Sequence, residues 1–481
     1  MDKRSPKIRQ CRCPDLFESG QPARLTGPVS RWMWAVLALV LAFCLVNYSY
    51  TDLHLIARHS MNFWDVLFAG HPFTFYQTGT AMPVGAMNPQ VGEVPYDIWV
   101  YLPLAVWNLP VYLWELFTGG SFETCLPAMI WIRLSAVLPF VGANWALLGI
   151  AGQLGRSRQQ WLWACFVFST SLYLLNGTFL LGQIDIMGLF FTLMGLWAYL
   201  RRDTKKFLLW FAMAISCKML GLFVFLPLVL LREKRLWRIA GYTLTGMSLT
   251  LVSKILFFAD KMATPKQFDE RRFIRFLFDY QIELGGTSIA LFALLFGGLL
   301  VFCWCSHVTE EQHGAWALWA VLAGYACFFV GANTFPYWGV LLAPCAPLLM
   351  LLRPGLAKQT LWLDLAVSGA YFAKELFKYG AVYDSACNTR WMLAGHLCGM
   401  EMQGTNPAVL FGMLSEGAQK NAEGLVMAVL AAGMIGLLWL HRPSRPADAE
   451  GEELAVDKGS VLVRLAVCGG ASLLPLALYL L

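Results

Sequence analysis

The chain has 481 residues, of which 58% are hydrophobic and only 14% are charged, and its mean hydropathy is +0.56. This balance excludes a water-soluble protein and predicts an all-α polytopic membrane protein. The net charge of +6 does not indicate nucleic-acid binding, because the basic residues lie mostly in short loops between hydrophobic runs. We therefore expect membrane lipid, and no nucleic acid, among its partners.

The first polar and apolar segments set the expected orientation in the membrane. Residues 1–31 carry seven Lys and Arg residues, which predicts a cytoplasmic basic tail under the positive-inside rule. Residues 32–48 form the first apolar run and are expected to cross outward. The polar stretch 50–96 then lies outside and begins an external loop, 50–128, that carries interfacial helices.

Residues 97–115 decide the side of every later loop. This stretch is apolar and rich in Trp and Tyr, but Pro103 and Pro110 interrupt it. If it lies on the outer surface, 23 Lys and Arg residues fall on the cytoplasmic side and 10 fall outside. If it crosses the membrane, sixteen of those 23 basic residues move outside. The positive-inside rule therefore predicts a surface helix.

Twelve further apolar runs predict twelve more spans, which makes thirteen in all with the C-terminus outside. They cover residues 129–154, 161–179, 186–200, 207–216, 220–231, 239–258, 288–305, 315–331, 337–352, 360–377, 424–440 and 461–480. We assign residues 32–440 to one transmembrane unit, 441–460 to a cytoplasmic linker and 461–481 to the last helix.

Two aspartates at the ends of apolar runs are expected on the same outer face of the membrane. Asp52 comes just after the first run, and Asp185 opens an inward helix after Leu181-Gly182-Gln183-Ile184. A cleft shielded from water raises the pKa of a carboxylate toward the range of a general base. The alternatives are an Asp52 that faces lipid headgroups and an Asp185 that caps the helix starting at Ile186.

Other groups of the first external loop are weaker candidates. Asp65 is a rival base, although it also suits the N-cap of a short helix that begins at Val66. His71 is a candidate substrate contact, but the loop's histidines lack the spacing of a metal site. We expect no cofactor, and a divalent cation held by Asp52 and Asp185 stays as an alternative.

Basic groups on the outer face could hold a phosphate. Arg271 and Arg272 follow an outward span, and guanidinium groups suit phosphate oxygens. A solvated amphipathic helix is the alternative for that pair. Lys218 lies at the turn of a helical hairpin and Arg133 lies near the outer start of a span, where either side chain could simply snorkel.

The segment Asn333–Trp338 opens another inward helix from the outer face. Its proline and aromatic residues suit a helix start, and Tyr337 would also suit a cavity wall for a sugar ring. Lys374 and Glu375 lie further along the chain near the outer end of a helix. They are adjacent in sequence, so we expect them to point to different sides and not to need each other as partners.

Several segments resemble the GT-C polyprenyl-phosphate-sugar glycosyltransferases. The resemblance is closest to bacterial proteins related to the second mannosyltransferase of GPI-anchor synthesis, whose pattern is W-G-Q-x-D followed by a lysine and a proline. Leu181 stands where that pattern has tryptophan. The matching segments are Gly182-Gln183-Ile184-Asp185 after Asn176-Gly177, the basic turn 201–206, and Lys218 followed by Phe225-Leu226-Pro227.

The resemblance implies a GT-C-like bundle that transfers a mannose-like hexose, with inversion, from a polyprenyl-phosphate donor to a glycan, lipid or protein acceptor. It implies an extracytoplasmic active site at the plasma membrane, with Asp52 as the base and Asp185 as a supporting carboxylate. The substrate-binding residues that we predict are Gln183, Lys218, Arg271, Arg272, Asp65, His71 and Tyr337.

Three other functions stay open. A transporter or flippase for lipid-linked glycans would share the many spans, but we find no internal repeat of the kind that transporters carry. A polysaccharide ligase would share the outward cleft and take a longer glycan. A membrane scaffold would need no site at all.

Overall fold

The computed structural model describes residues 25, 27–81, 94–260, 275–387, 392–398, 407–443 and 453–480. These residues are mostly helical. The helices are α1 (Arg31–Asn47), α2 (Thr51–Phe68), α3 (Phe75–Ala81), α4 (Ile98–Thr118), α5 (Leu126–Leu134), α6 (Val137–Gln153), α7 (Arg158–Ser169), α8 (Leu172–Leu174), α9 (Asp185–Leu200), α10 (Thr204–Cys217), α11 (Leu222–Arg232), α12 (Leu236–Gly246), α13 (Ser248–Leu256), α14 (Leu291–Cys305), α15 (His313–Gly331), α16 (Cys345–Leu352), α17 (Ala357–Lys378), α18 (Gly380–Cys387), α19 (Leu393–Cys398), α20 (Pro407–Gly412), α21 (Glu416–Leu440) and α22 (Lys458–Leu480).

Several helices are long and apolar enough to cross a membrane. Within the described ranges there are five, or nine if each of four bent helix pairs counts as one span. The predicted class, a helical multi-pass membrane protein, is confirmed. The predicted count of thirteen is higher because several predicted spans are helices shorter than the ~20 residues of a full crossing. The five long helices are Ile98–Thr118, Leu126–Gln153, His313–Gly331, Glu416–Leu440 and Lys458–Leu480.

The loops that carry most of the basic residues meet at one end of the bundle. Arg202 forms an ion pair with Glu310. Lys234 Nζ donates to the carbonyl of Cys303 at 2.8 Å. Arg353 donates to the carbonyl of Leu440 at 3.1 Å, at the end of α21. Loops that are far apart in sequence therefore share one face of the molecule.

Arg464 is a charged residue inside the last predicted span, 461–480. It lies inside α22 and is 1% exposed. Its guanidinium donates to Asp364 Oδ2 of α17 at 2.6 Å, to Thr170 Oγ1 at 3.2 Å and to the carbonyl of Val167 at 3.2 Å. A buried arginine needs such partners because its charge loses the solvation of water.

A β-hairpin replaces the predicted start of a helix at residue 288. Strand β1 (Gln281–Leu284) pairs antiparallel with β2 (Thr287–Ala290), with Gln281 opposite Ala290. The turn between them is Gly285-Gly286, and both glycines have positive φ, +57° and +84°. Two such residues are what a tight hairpin turn requires, and α14 begins only at Leu291.

The helices α2 and α4 lie together beside the first bend of the chain. The direction of α2 differs by 73° from that of α1. Contacts join α4 to both halves of α2, since Tyr112 of α4 donates to Asp65 at 2.8 Å. Tyr96, just before α4, interacts electrostatically with Asp52, and Glu115, near its other end, bonds to Arg58 at 2.8 Å.

Candidate active site

The turn before α9 brings Gln183 and Asp185 to the bundle end opposite the basic loops. After α8 the chain forms one π-helical segment, Leu175–Leu180. The backbone N–H of Gln183 donates to the carbonyl of Gly177 at 2.9 Å, which folds the turn back on the π-helical segment. Gly182 has a φ of +64°, a conformation that favours glycine.

Gln183 links this turn to Asp52. Its Nε2 donates to Asp52 Oδ2 at 2.9 Å, although 131 residues separate the two. Asp52 lies in the first turn of α2 and Asp185 in the first turn of α9. The N-cap residue of α9 is Ile184 and the helix begins at Asp185, so Asp185 is not the N-cap of a helix that starts at Ile186. The two aspartates that the sequence singles out therefore lie at one site.

Lys218 is the cation that this site holds next to Asp185. It follows α10 in an extended conformation, and its Nζ forms an ion pair with Asp185 Oδ1. The side chain of Asp185 is 2% exposed and that of Lys218 is 16% exposed. The Nζ atom also lies 5.0 Å from the ring centre of Tyr337 and 5.1 Å from that of Trp338. These distances permit cation–π interactions with both rings.

The segment that carries Tyr337 and Trp338 is held by polar side chains behind it. Asn176 Nδ2 donates to the carbonyl of Pro336 at 3.1 Å, and the hydroxyl of Tyr371 donates to that of Phe335 at 2.6 Å. These two bonds hold the backbone of the segment that carries the rings of Tyr337 and Trp338.

A buried ion pair supports the same segment. Lys374 Nζ donates to Thr334 Oγ1 at 3.1 Å and lies 3.1 Å from Glu375 Oε1. The expectation that Lys374 and Glu375 need not pair is wrong. Both are buried in an apolar setting, where neither charge is stable alone, so they fold toward each other despite being adjacent.

Tyr96 is a site residue that the sequence reasoning missed. Its phenol interacts electrostatically with both Asp185 and Asp52. Burial, assisted by those two carboxylates, raises the pKa of Tyr96 well above its ordinary value.

Asp65 and His71, which the sequence analysis also named as site residues, lie away from Asp52 and Asp185. Asp65 belongs to the same continuous helix as Asp52, 13 residues further on, which is about 20 Å of helical rise. It is exposed and accepts a hydrogen bond from Tyr112 at 2.8 Å, so it neither starts a helix nor reaches the site. His71 is exposed beyond the far end of α2. Arg271 and Arg272 lie outside the described residues.

Arg133 does not snorkel to the surface. It is 1% exposed and donates to the carbonyls of Cys44 and Phe179. Since a snorkelling side chain would place its head in water, the expectation for Arg133 is wrong.

The arrangement offers several hydrogen-bond acceptors at one place. Among the described residues, Asp185 Oδ2 and Gln183 Oε1 are buried and have no hydrogen-bond partner. Such atoms suit the hydroxyl groups of a polyhydroxylated ligand, because buried acceptors are normally paired. In the part of the chain that is described, no cluster of three or more His, Cys, Asp or Glu residues could hold a metal ion.

Comparison with family models finds no match, and no curated protein matches the chain. Among solved structures the chain is similar to ArnT from Cupriavidus metallidurans, which was crystallised with undecaprenyl phosphate. The sequence identity is 13% and the TM-score is 0.40. The likeness covers 92% of this chain and 77% of that one.

Proposed function

We propose that this protein is an integral membrane glycosyltransferase of the GT-C type. It moves a hexose from a polyprenyl-phosphate donor to a hydroxyl group of a glycan, lipid or protein acceptor. The observation that carries the proposal is the convergence of Asp52, Gln183, Asp185 and Lys218 at one end of a helical membrane bundle. The sequence resemblance supplies the reaction class, and its mannose specificity is part of the proposal.

Asp52 is the proposed base. Its carboxylate takes the proton of the acceptor hydroxyl while that oxygen attacks the anomeric carbon. The bond between this carbon and the phosphate oxygen breaks, and its electron pair leaves with the polyprenyl phosphate. One such displacement inverts the anomeric configuration. The hydrogen bond from Gln183 orients Asp52 for this role.

Lys218 is the proposed partner of the leaving phosphate. Its ammonium group is already held by Asp185 and flanked by the rings of Tyr337 and Trp338. A cation fixed in advance stabilises negative charge as it develops, without reorganising during the reaction. The acceptor atoms of Asp185 and Gln183 would bind sugar hydroxyls, and a nearby carboxylate favours an oxocarbenium-like transition state.

The active site is proposed to face the extracytoplasmic side of the plasma membrane. The basic loops meet at the other end of the bundle, which the positive-inside rule assigns to the cytoplasm. The same rule places α4 on the outer surface, and this placement is part of the proposal, although the length and composition of α4 also suit a span.

The test compares Asp52→Asn with the wild-type protein in reconstituted membranes. Purified protein is incubated with polyprenyl-phosphate hexoses, and the released polyprenyl phosphate and glycosylated product are measured. Loss of a general base is expected to lower transfer by about 100-fold or more while abundance in the membrane stays unchanged. Asp65→Asn is the matched control, because Asp65 lies on the same helix away from the site.

Three results would contradict the proposal. Full transfer by Asp52→Asn would remove Asp52 from the role of base, and loss of transfer in Asp65→Asn alone would move that role to Asp65. Movement of intact lipid-linked sugar across the vesicle, with no lipid phosphate released, would identify a flippase.

A further inference from the structure

Arg133 is a buried cation that lies directly behind the candidate site. It belongs to α5, and its Nη2 donates to the carbonyl of Phe179 at 2.5 Å and to that of Cys44 at 3.3 Å. Phe179 lies in the π-helical segment four residues before Gln183. Cys44 lies in the last turn of α1, eight residues before Asp52. One guanidinium group thus joins the two chain segments that lead to the two aspartates.

The turn at Gly182 packs directly against this guanidinium. A Cβ atom added to Gly182 would lie 3.0 Å from Arg133 Nη1 and 3.0 Å from Leu53 Cδ2. Leu53 is the neighbour of Asp52 in α2. The glycine therefore permits three segments to approach at one point, and Arg133 lies where they meet.

Packing alone does not account for an arginine at this position. Its Nε and Nη1 are buried and have no hydrogen-bond partner among the described residues. A buried guanidinium with incomplete hydrogen bonding is less stable than an apolar side chain of similar size. We therefore expect Arg133 to have a role other than stabilising the fold.

We propose that Arg133 is a positioning residue that sets the separation between Asp52 and the Gln183–Asp185 turn. The proposal rests on the proposed function, because those groups are the ones assigned to the reaction. Arg133 contacts backbone carbonyls and not the reacting atoms, so it acts through the placement of the carboxylates. A displacement of about 1 Å at reacting groups can lower a rate by about 100-fold.

The experiment compares Arg133→Met and Arg133→Lys with the matched control Arg353→Met. Arg353 is also buried and also donates to two backbone carbonyls, those of Leu440 and Arg442, at the basic end of the bundle. Hydrogen exchange of the amides in residues 177–187 reports the order of the turn. Donor kinetics report kcat and KM separately.

Arg133→Met is expected to speed amide exchange in residues 177–187 and to lower kcat by about 10- to 100-fold, with a donor KM within about threefold of the wild type. Arg133→Lys keeps a cation that can reach a carbonyl and should recover part of both properties. Arg353→Met should change neither in the folded fraction.

Unchanged exchange in residues 177–187 of Arg133→Met would overturn the proposal, as would an effect equal to that of Arg353→Met. If Arg133→Met does not fold, Arg133→Gln takes its place, because its side chain is uncharged and too short to reach both carbonyls. Wild-type exchange and kcat in Arg133→Gln would overturn the proposal. If the wild-type protein transfers no hexose, the proposed function fails, and the exchange measurement still decides whether Arg133 orders the turn.

Discussion

At the scale of single residues, the ion pair of Lys218 and Asp185 couples the stability of the site to its chemistry. Asp185 is almost fully buried, so its charge depends on the ammonium group beside it. The same ammonium group lies over two aromatic rings and is the proposed partner of the phosphate. A substitution here should therefore change folding as well as transfer.

Lys218→Met is expected to destabilise the protein by about 3 kcal/mol, because it leaves the Asp185 carboxylate buried without a cation. The double variant Lys218→Met/Asp185→Asn removes both charges and should be more stable than Lys218→Met alone. Unfolding in mixed detergent micelles measures both variants. A double variant that is less stable than either single variant would show that the pair contributes little through charge.

At the scale of helices, a second buried ion pair joins elements that are distant in sequence. Arg464 of α22 and Asp364 of α17 bond at 2.6 Å, and Arg464 also bonds to α7 and the residue that follows it. Exposed pairs are different. Lys420 and Glu416 on α21 lie 3.3 Å apart, with side chains that are 75% and 85% exposed. Water screens the second pair and does not reach the first.

Asp364→Asn should therefore lower the free energy of unfolding by about 3 kcal/mol or more, since Arg464 would stay buried without an opposite charge. Glu416→Gln is the control and should produce no measurable change. Both are measured as shifts of the unfolding transition in the same detergent. Equal shifts for the two variants would contradict the distinction between buried and exposed pairs.

The sequence predicts the helices well because apolar runs of this length have few other structures open to them. It does not predict the partner of Arg464, since Asp364 lies 100 residues away and no local pattern connects them. It carries a signal for the hairpin that the prediction missed, because Gln281–Leu284 alternates between polar and apolar residues and Gly285-Gly286 is a typical two-residue turn. The strands are only four residues long and lie directly before an apolar run, which was predicted to start the helix at residue 288.

Within the site, the pattern around Gly182 and Asp185 is distinctive, and Asp52 is visible as a carboxylate at the end of an apolar run. Tyr96 carries no comparable signal, because the chain has 16 Tyr residues and aromatic side chains are common near membrane surfaces. Only the folded chain selects it, whereas the segment Asn333–Trp338 is visible in the sequence.

At the scale of the whole molecule, the bundle has two chemically different ends. One end gathers arginines and lysines in short loops, and the other gathers the aspartates, the aromatic rings and the hairpin. Phe276 lies just before the hairpin, and its ring centre is 5.8 Å from that of Trp338. The hairpin therefore lies at the same end of the bundle as the candidate site.

This polarity predicts which end an impermeant reagent reaches. In intact cells, a maleimide that cannot cross the membrane should label Glu283→Cys, an exposed position of β1, and should label Glu310→Cys only after permeabilisation. Peptide mass spectrometry separates these positions from the native cysteines, among which Cys305 is exposed. Labelling of Glu310→Cys alone would reverse the proposed orientation.

The first-turn positions of the two aspartates bear on how an anion could approach them. Neither the N-cap residue of α2 nor that of α9 makes a side-chain capping bond, and the first turns of both helices carry the aspartates of the site. Each N-terminus of a helix macrodipole acts as about half a positive charge. Together with the ammonium of Lys218, they offset the two carboxylates to near electrical neutrality. The lipid phosphate of the proposed donor would then approach the pair of aspartates without strong repulsion.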